Sequence, residues 1–141
     1  MKKQLKSSLL FLSLLGMFGA SAMAAQMSMT IGNSNYVITL EDNEAVKLLT
    51  DQLPFTTTFE NYGRNERIAD LPHRLNVGKH RQSLNVVRGD LTYYEPWGNL
   101  AAFRVSYSSP NDLIKIGHME EEAMKALENS GNNQVTFQLI Q

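Results

Sequence analysis

Between Val87 and Tyr107 apolar and polar positions alternate in two runs. Leu91 and Tyr93 stand against Thr92 and Tyr94; Ala101, Phe103 and Val105 stand against Ala102, Arg104 and Ser106. A period of two is the mark of a half-buried strand. Pro96 and Gly98 fit poorly inside a central strand, so the chain reverses between Glu95 and Asn99, which predicts an antiparallel hairpin at the centre of the fold. By its alternation with Leu91, Tyr93 faces the core and Tyr94 the opposite side.

The same pattern recurs along the chain. Met27, Met29, Ile31 and then Tyr36, Ile38, Leu40 alternate around the turn formers Gly32-Asn33-Ser34-Asn35, a first hairpin. Ala45, Val46, Leu48, Leu49 and Leu53 recur at helical spacing after the N-cap candidate Asn43, and Pro54 stops that helix. Phe55 to Tyr62, with its three consecutive threonines, reads as a strand, and Glu66 to Leu71 as its return. Pro72 to Asn85 has no clean period and reads as a long surface loop. Ser108 to Asp112 reads as a turn, and Leu113, Ile114 and Ile116 as a short strand ending at Gly117. Glu120 to Glu122 open a second helix, with Met124 and Leu127 inward and Gly131 as its C′ residue. Val135, Phe137 and Leu139 form a terminal strand. Strands this numerous with hairpin-like connections predict a mainly β fold, a closed antiparallel barrel with two short helices, because closure removes exposed edges.

The N-terminal segment changes the picture of address. Lys2, Lys3 and Lys6 precede an apolar run from Leu9 to Ala20 and a small-x-small site at Ala22-Met23-Ala24, the pattern of a cleaved signal peptide. The run is too short for a spanning helix of about 20 residues, so export to a periplasm or the medium is expected, without a stable membrane anchor. Residues 1–24 are then the leader and 25–141 the domain. With the three leader lysines removed, the 13 basic and 14 acidic residues of the chain become 10 against 14, a net charge of −4. Such a balance disfavours nucleic acid and anionic lipid as partners. Cysteine is absent, which excludes disulfides, thiolate chemistry and lipid attachment at a cleavage-site cysteine.

The segment Gly89-Asp90-Leu91-x-Tyr93-Tyr94-x-Pro96-Trp97-Gly98-Asn99-Leu100-Ala101-x-Phe103 resembles the signature of small bacterial cyclophilin-like proteins. Thr30-Ile31-Gly32-Asn33, Leu53-Pro54, Leu71-Pro72 and Ile116-Gly117-His118-Met119-Glu120 follow the order of that family. The resemblance implies an eight-stranded cyclophilin-like barrel. True cyclophilins are peptidyl-prolyl isomerases that lower a barrier of roughly 18–20 kcal/mol with an arginine donor in an apolar groove. Arg67-Ile68 is similar to the family's arginine and isoleucine, which implies Arg67 as the catalytic donor, with Tyr94, Trp97 and Phe103 as walls and Asn99 orienting the ligand. The phenylalanine and glutamine that follow the arginine in true cyclophilins are missing, and Ala69-Asp70-Leu71-Pro72 stands there instead.

Other chemistry is weakly marked. An arginine on a strand is otherwise solvated or paired with a neighbour such as Glu66 or Asp70, and Trp97 serves either as a ligand platform or as a plug at one end of the barrel. Asp90 after Gly89 reads as a turn cap. His73, His80 and His118 match no compact zinc spacing and read as solvated loop residues; no glycine-rich phosphate loop or serine-hydrolase motif occurs, so no cofactor or metal is expected. The sequence therefore predicts an exported binding module for a peptide or small ligand, without efficient catalysis. A weak prolyl isomerase and an interaction domain docking to another exported protein are the alternatives.

Overall fold

The computed structural model describes residues 23–78, 83–109 and 112–141. The leader pattern up to Ala22, with Lys79, His80 and Arg81 of the long loop and Pro110 and Asn111 of the expected turn, lies outside the described residues. Among the described residues eleven strands and two helices follow one another: β1 (Gln26–Ile31), β2 (Ser34–Leu40), α1 (Glu44–Thr50), β3 (Phe55–Thr58), β4 (Glu60–Tyr62), β5 (Glu66–Asp70), β6 (Leu84–Val86), β7 (Asp90–Tyr94), β8 (Asn99–Phe103), β9 (Tyr107–Ser109), β10 (Leu113–Met119), α2 (Glu121–Glu128) and β11 (Gln134–Ile140).

Nine strands form one antiparallel sheet in the order β3-β11-β1-β2-β10-β7-β8-β5-β4, and β6 pairs with β9 as a separate ribbon. The two ends of the nine-stranded order, β3 and β4, are consecutive in the chain. Phe55–Tyr62 is thus one stretch that changes partner at Phe59: its first half pairs with β11 and its second with β5. The Thr57 hydroxyl, donating to the Asp70 carbonyl at 2.9 Å, ties the seam. The fold is a nearly closed barrel, and counting Phe55–Tyr62 as a single bent strand reduces the nine strands to the expected eight.

The interior is apolar and continuous. Met27, Met29, Ile38, Leu91, Tyr93, Leu100, Ile116 and Phe137 are buried there with Ala45, Val46 and Leu49 of α1 and Ala123, Met124 and Leu127 of α2. Each helix therefore spends its apolar stripe on the barrel core. Asn43 caps α1 as expected: its Oδ1 accepts from the Val46 amide at 2.9 Å, while its Nδ2 donates to the Lys115 carbonyl of β10 at 2.9 Å. No side chain caps α2; Arg88 holds it instead, at 2.8 Å from Glu121 and 2.6 Å from Glu128.

Several expectations need correcting. The first hairpin turns on Gly32-Asn33 alone, since Ser34 and Asn35 already belong to β2. The loop after Pro72 is not wholly superficial: Leu75 and Val77 are buried in the main core, and the Tyr93 hydroxyl accepts from the Leu75 amide at 3.1 Å. Tyr107–Ser109 is a strand, where a turn was expected from Ser108. Gly131 stands beyond the C-cap Asn129, in the turn closed by the Asn133 amide on the Ser130 carbonyl that leads into β11.

The central hairpin also differs from a half-buried one, because nearly every residue of β7 and β8 is buried on both faces. Leu91 pairs with Ala102 and Tyr93 with Leu100, facing the main core. The opposite face carries Ala101 and Phe103, which pack with Ile68, Val86 and Leu113 in a second apolar cluster outside the barrel. Phe103 therefore lies on the side of Tyr94, while Val105 is exposed beyond the strand. The β6–β9 ribbon supplies part of the second cluster through Val86, and this outer layer is what positions the site.

Candidate functional site

A cavity of about 230 Å³ opens beside that second cluster, lined by Glu66 and Ile68 of β5, Tyr94 of β7, Asn99 and Phe103 of β8, and Tyr62, Trp97, Tyr107, Ser109, Asp112 and Leu113 around them. Strand alternation explains the roll. Residues 66 and 68 share one face of β5, residues 99, 101 and 103 one face of β8, and Tyr94 is opposite Asn99 across the hairpin. The Tyr62 and Tyr94 rings each stand nearly perpendicular to the Trp97 indole, at 86° and 80° with centroids 5.3 and 5.5 Å away. Phe103 stacks on Tyr107 at 5.6 Å and 10°. Trp97 is 55% exposed and lines this cavity, so it is a wall of it and not a buried plug of the barrel.

The polar groups are acidic or neutral. Glu66 enters no ion pair among the described residues, and burial raises the pKa of its carboxyl. The Asp112 carboxylate accepts from the Ser109 hydroxyl at 2.6 Å. Burial, reinforced by Asp112, raises the pKa of the Tyr94 hydroxyl. Asn99 is 5% exposed, and its Oδ1 is buried without a hydrogen-bond partner among the described residues. A carboxamide can turn over to present donor or acceptor, so Asn99 is an unspent polar handle on the cavity wall. No lysine, arginine or histidine of the described residues lines the cavity.

Of the five residues singled out from sequence, Tyr94, Trp97, Asn99 and Phe103 come together here and Arg67 does not. Arg67 projects from the other face of β5 and is 3% exposed. Its guanidinium donates to Asn61 Oδ1 at 2.9 Å, the Phe59 carbonyl at 3.2 Å, Ser130 Oγ at 3.1 Å and the Gly131 carbonyl at 2.7 Å. Burial, and secondarily the charge of Arg104, lower its pKa from the ordinary arginine value. It pairs with neither Glu66 nor Asp70. The side chain that β5 offers to the cavity one residue earlier is Glu66, opposite in charge to a guanidinium. Sequence reasoning missed Glu66, Tyr62, Tyr107 and Asp112. Strict alternation with Ile68 could have found Glu66, whereas Tyr62 and Tyr107 come from segments whose partners the sequence does not disclose.

Asp90 and His118 form a separate polar cluster. Asp90 is a turn cap, as expected, with Oδ2 accepting from the Val87 amide at 3.0 Å. Its Oδ1 lies 2.7 Å from His118 Nδ1 and 3.5 Å from Lys115 Nζ, so His118 is a strand residue with a fixed partner, not a solvated loop histidine.

Among solved structures, the chain is similar to the solution structure of a hypothetical protein from Archaeoglobus fulgidus, with a TM-score of 0.63, 17% identity, and coverage of 87% of this chain and 100% of that one. At that identity the likeness concerns the fold alone. No curated protein sequence matches. The profile of the Cyclophilin-like family matches residues 29–138, from β1 into β11. Since that match spans nearly all of the described barrel, the chain belongs to the cyclophilin-like family.

Proposed function

We infer that the protein is an exported cyclophilin-like binding module that holds a small ligand, or one side chain of a peptide, without efficient prolyl isomerisation. The observation that carries this reading is the cavity built from Tyr62, Tyr94, Trp97, Asn99 and Phe103, in which β5 presents Glu66 and turns Arg67 away. A prolyl isomerase of cyclophilin type needs a preorganised cationic donor beside the prolyl nitrogen. An ionised carboxylate accepts hydrogen bonds and cannot donate one. The volume, about 230 Å³, is below the roughly 300 Å³ of ordinary small-molecule pockets, which suits a compact group better than an extended chain.

Export is supported by the leader pattern and by where the sheet starts. Cleavage after Ala24 would leave Ala25, whose carbonyl accepts from the Leu40 amide at 2.8 Å, as the first residue of the mature domain. The test combines two measurements on protein expressed as the full chain. Mass spectrometry of the exported fraction should find an N-terminus at Ala25. Exchange NMR with a short proline peptide should show shifted or broadened peptide signals with no faster cis/trans exchange. Accelerated exchange would establish the isomerase alternative, and an uncleaved protein retained in the cell would remove export.

A further inference from the structure

The cavity combines rings, acids and one unspent amide in a way that selects a ligand charge. Tyr62 and Tyr94 stand to Trp97 as adjacent walls of a box. The faces of such rings carry negative partial charge and attract cations, and Trp is the strongest of them. Glu66 and Asp112 add two carboxylates to the same cavity, and no basic side chain of the described residues lines it to compensate them. Asn99, buried and with Oδ1 unpartnered among the described residues, supplies a neutral polar contact. Ion pairing inside the protein already occupies Arg88 and Arg104 with Glu128 on the other side of the sheet. Among the described residues, neither Glu66 nor Asp112 enters an ion pair.

We propose that the cavity receives a small organic cation of the alkylammonium class, enclosed by Tyr62, Tyr94 and Trp97 and neutralised by Glu66 and Asp112. The proposal rests on the binding-module reading and names its ligand. The apolar flanks of an alkylated nitrogen satisfy the rings, while its diffuse charge needs no directional donor from the protein. A proline ring would satisfy the rings but leave both carboxylates uncompensated. An anion would meet them as like charges.

Choline and 3,3-dimethylbutan-1-ol make a stringent pair of probes, identical in shape except that a neutral carbon replaces the charged nitrogen. Trp97 is the only tryptophan of the chain, so its intrinsic fluorescence reports the cavity directly in either titration. The expected result is saturable quenching or shift by choline, with the alcohol at least about ten-fold weaker, the order of a desolvated cation–π contact. Glu66→Gln should weaken choline about five-fold or more and leave the alcohol unchanged. Because the comparison between probes uses the unaltered protein, it stands even if the variant folds poorly. Equal affinity for the two probes would overturn the cation while leaving a binding module. Failure of both with retained binding of the proline peptide would do the same. Failure of all three would remove the binding-module reading itself. Displacement of choline by a lysine-containing peptide would mark the cation as a side chain of a partner, and no displacement would mark it as a free molecule.

Discussion

Arg67 and Glu66 are neighbours on one strand with opposite fates. A guanidinium that gives four hydrogen bonds to carbonyl, amide and hydroxyl oxygens of β4, the Phe59 turn and the α2–β11 turn is a clamp between elements. Arg67→Ala should lower the unfolding free energy by about 3 kcal/mol in urea denaturation, since hydrogen bonds to a charged group contribute ~1.5–3 kcal/mol each and are not additive. Ligand affinity per folded molecule should hold. The reverse, intact stability with lost affinity, would put Arg67 in the site. Glu66 behaves oppositely because burial raises its pKa. For an acid shifted up on folding, the native state keeps its proton to higher pH than the unfolded chain. The cost of the charge is then fully present above the folded pKa and absent below the unfolded one. Glu66→Gln should therefore raise the thermal midpoint at neutral pH, and the gain should close as pH falls through the folded pKa; a gain unchanged in acid would sink the account. Choline affinity should decline over the same fall in pH, with Asp112, Tyr62, Tyr94 and Tyr107 the other titratable groups of the cavity. The sequence made Tyr94, Trp97, Asn99 and Phe103 legible because they sit on one hairpin. It did not separate Arg67 from them, because a motif match fixes order along a strand but not which face the side chain takes, and a shift of one residue exchanges the faces.

Elements differ in how firmly they are held. The β6–β9 ribbon has three residues a side, and it rests on the outer cluster of Ile68, Val86, Ala101, Phe103 and Leu113. The β7–β8 hairpin beneath it is enclosed by two cores and paired on both sides. Local opening should separate them: amides of β6 and β9 should exchange hydrogen at least about ten-fold faster than those of β7 and β8, and a ligand in the cavity, which Tyr107 and Ser109 help to line, should slow the ribbon selectively. Uniform protection across the four strands would show that the ribbon is not an independent layer. This outer layer also explains where sequence reading stopped. Alternation in Leu91 to Tyr94 locates a strand but assumes one wet face, and here Ala101 and Phe103 are covered by segments distant in the chain. Three-residue strands such as β6 and β9 carry no period long enough to read. Close backbone approach is equally invisible: Gly89, at φ +96, lies where a Cβ would run into the Met119 carbonyl. Gly89→Ala should cost about 2 kcal/mol or more in denaturant unfolding, through both the left-handed backbone and the clash; a loss within ~0.5 kcal/mol would mean that the β7–β10 junction gives way easily.

At the scale of the whole molecule, closure depends on a single stretch of chain. Phe55–Tyr62 stands at both ends of the sheet order, so the barrel closes covalently through Phe59, where the strand leaves β11 and joins β5. Phe59 is 1% exposed and meets Phe137 edge-on at 6.2 Å, while its carbonyl accepts from Arg67. The partner change therefore coincides with an apolar anchor inward and a backbone tie to the clamp. The sequence pattern takes this stretch as one strand, in keeping with the eight-stranded barrel that the family resemblance implies; what it did not contain was that the strand bends and serves two partners. Removing the anchor tests that description. Phe59→Ala should cost about 3–5 kcal/mol, as deletions of buried aromatic rings do. The loss should not stay local: Tyr62, three residues on, is a wall of the cavity, so Trp97 fluorescence should change in the folded variant and ligand affinity should fall. Destabilisation without any effect at Trp97 would show that β4 is held by β5 alone, and that the seam and the site are mechanically separate.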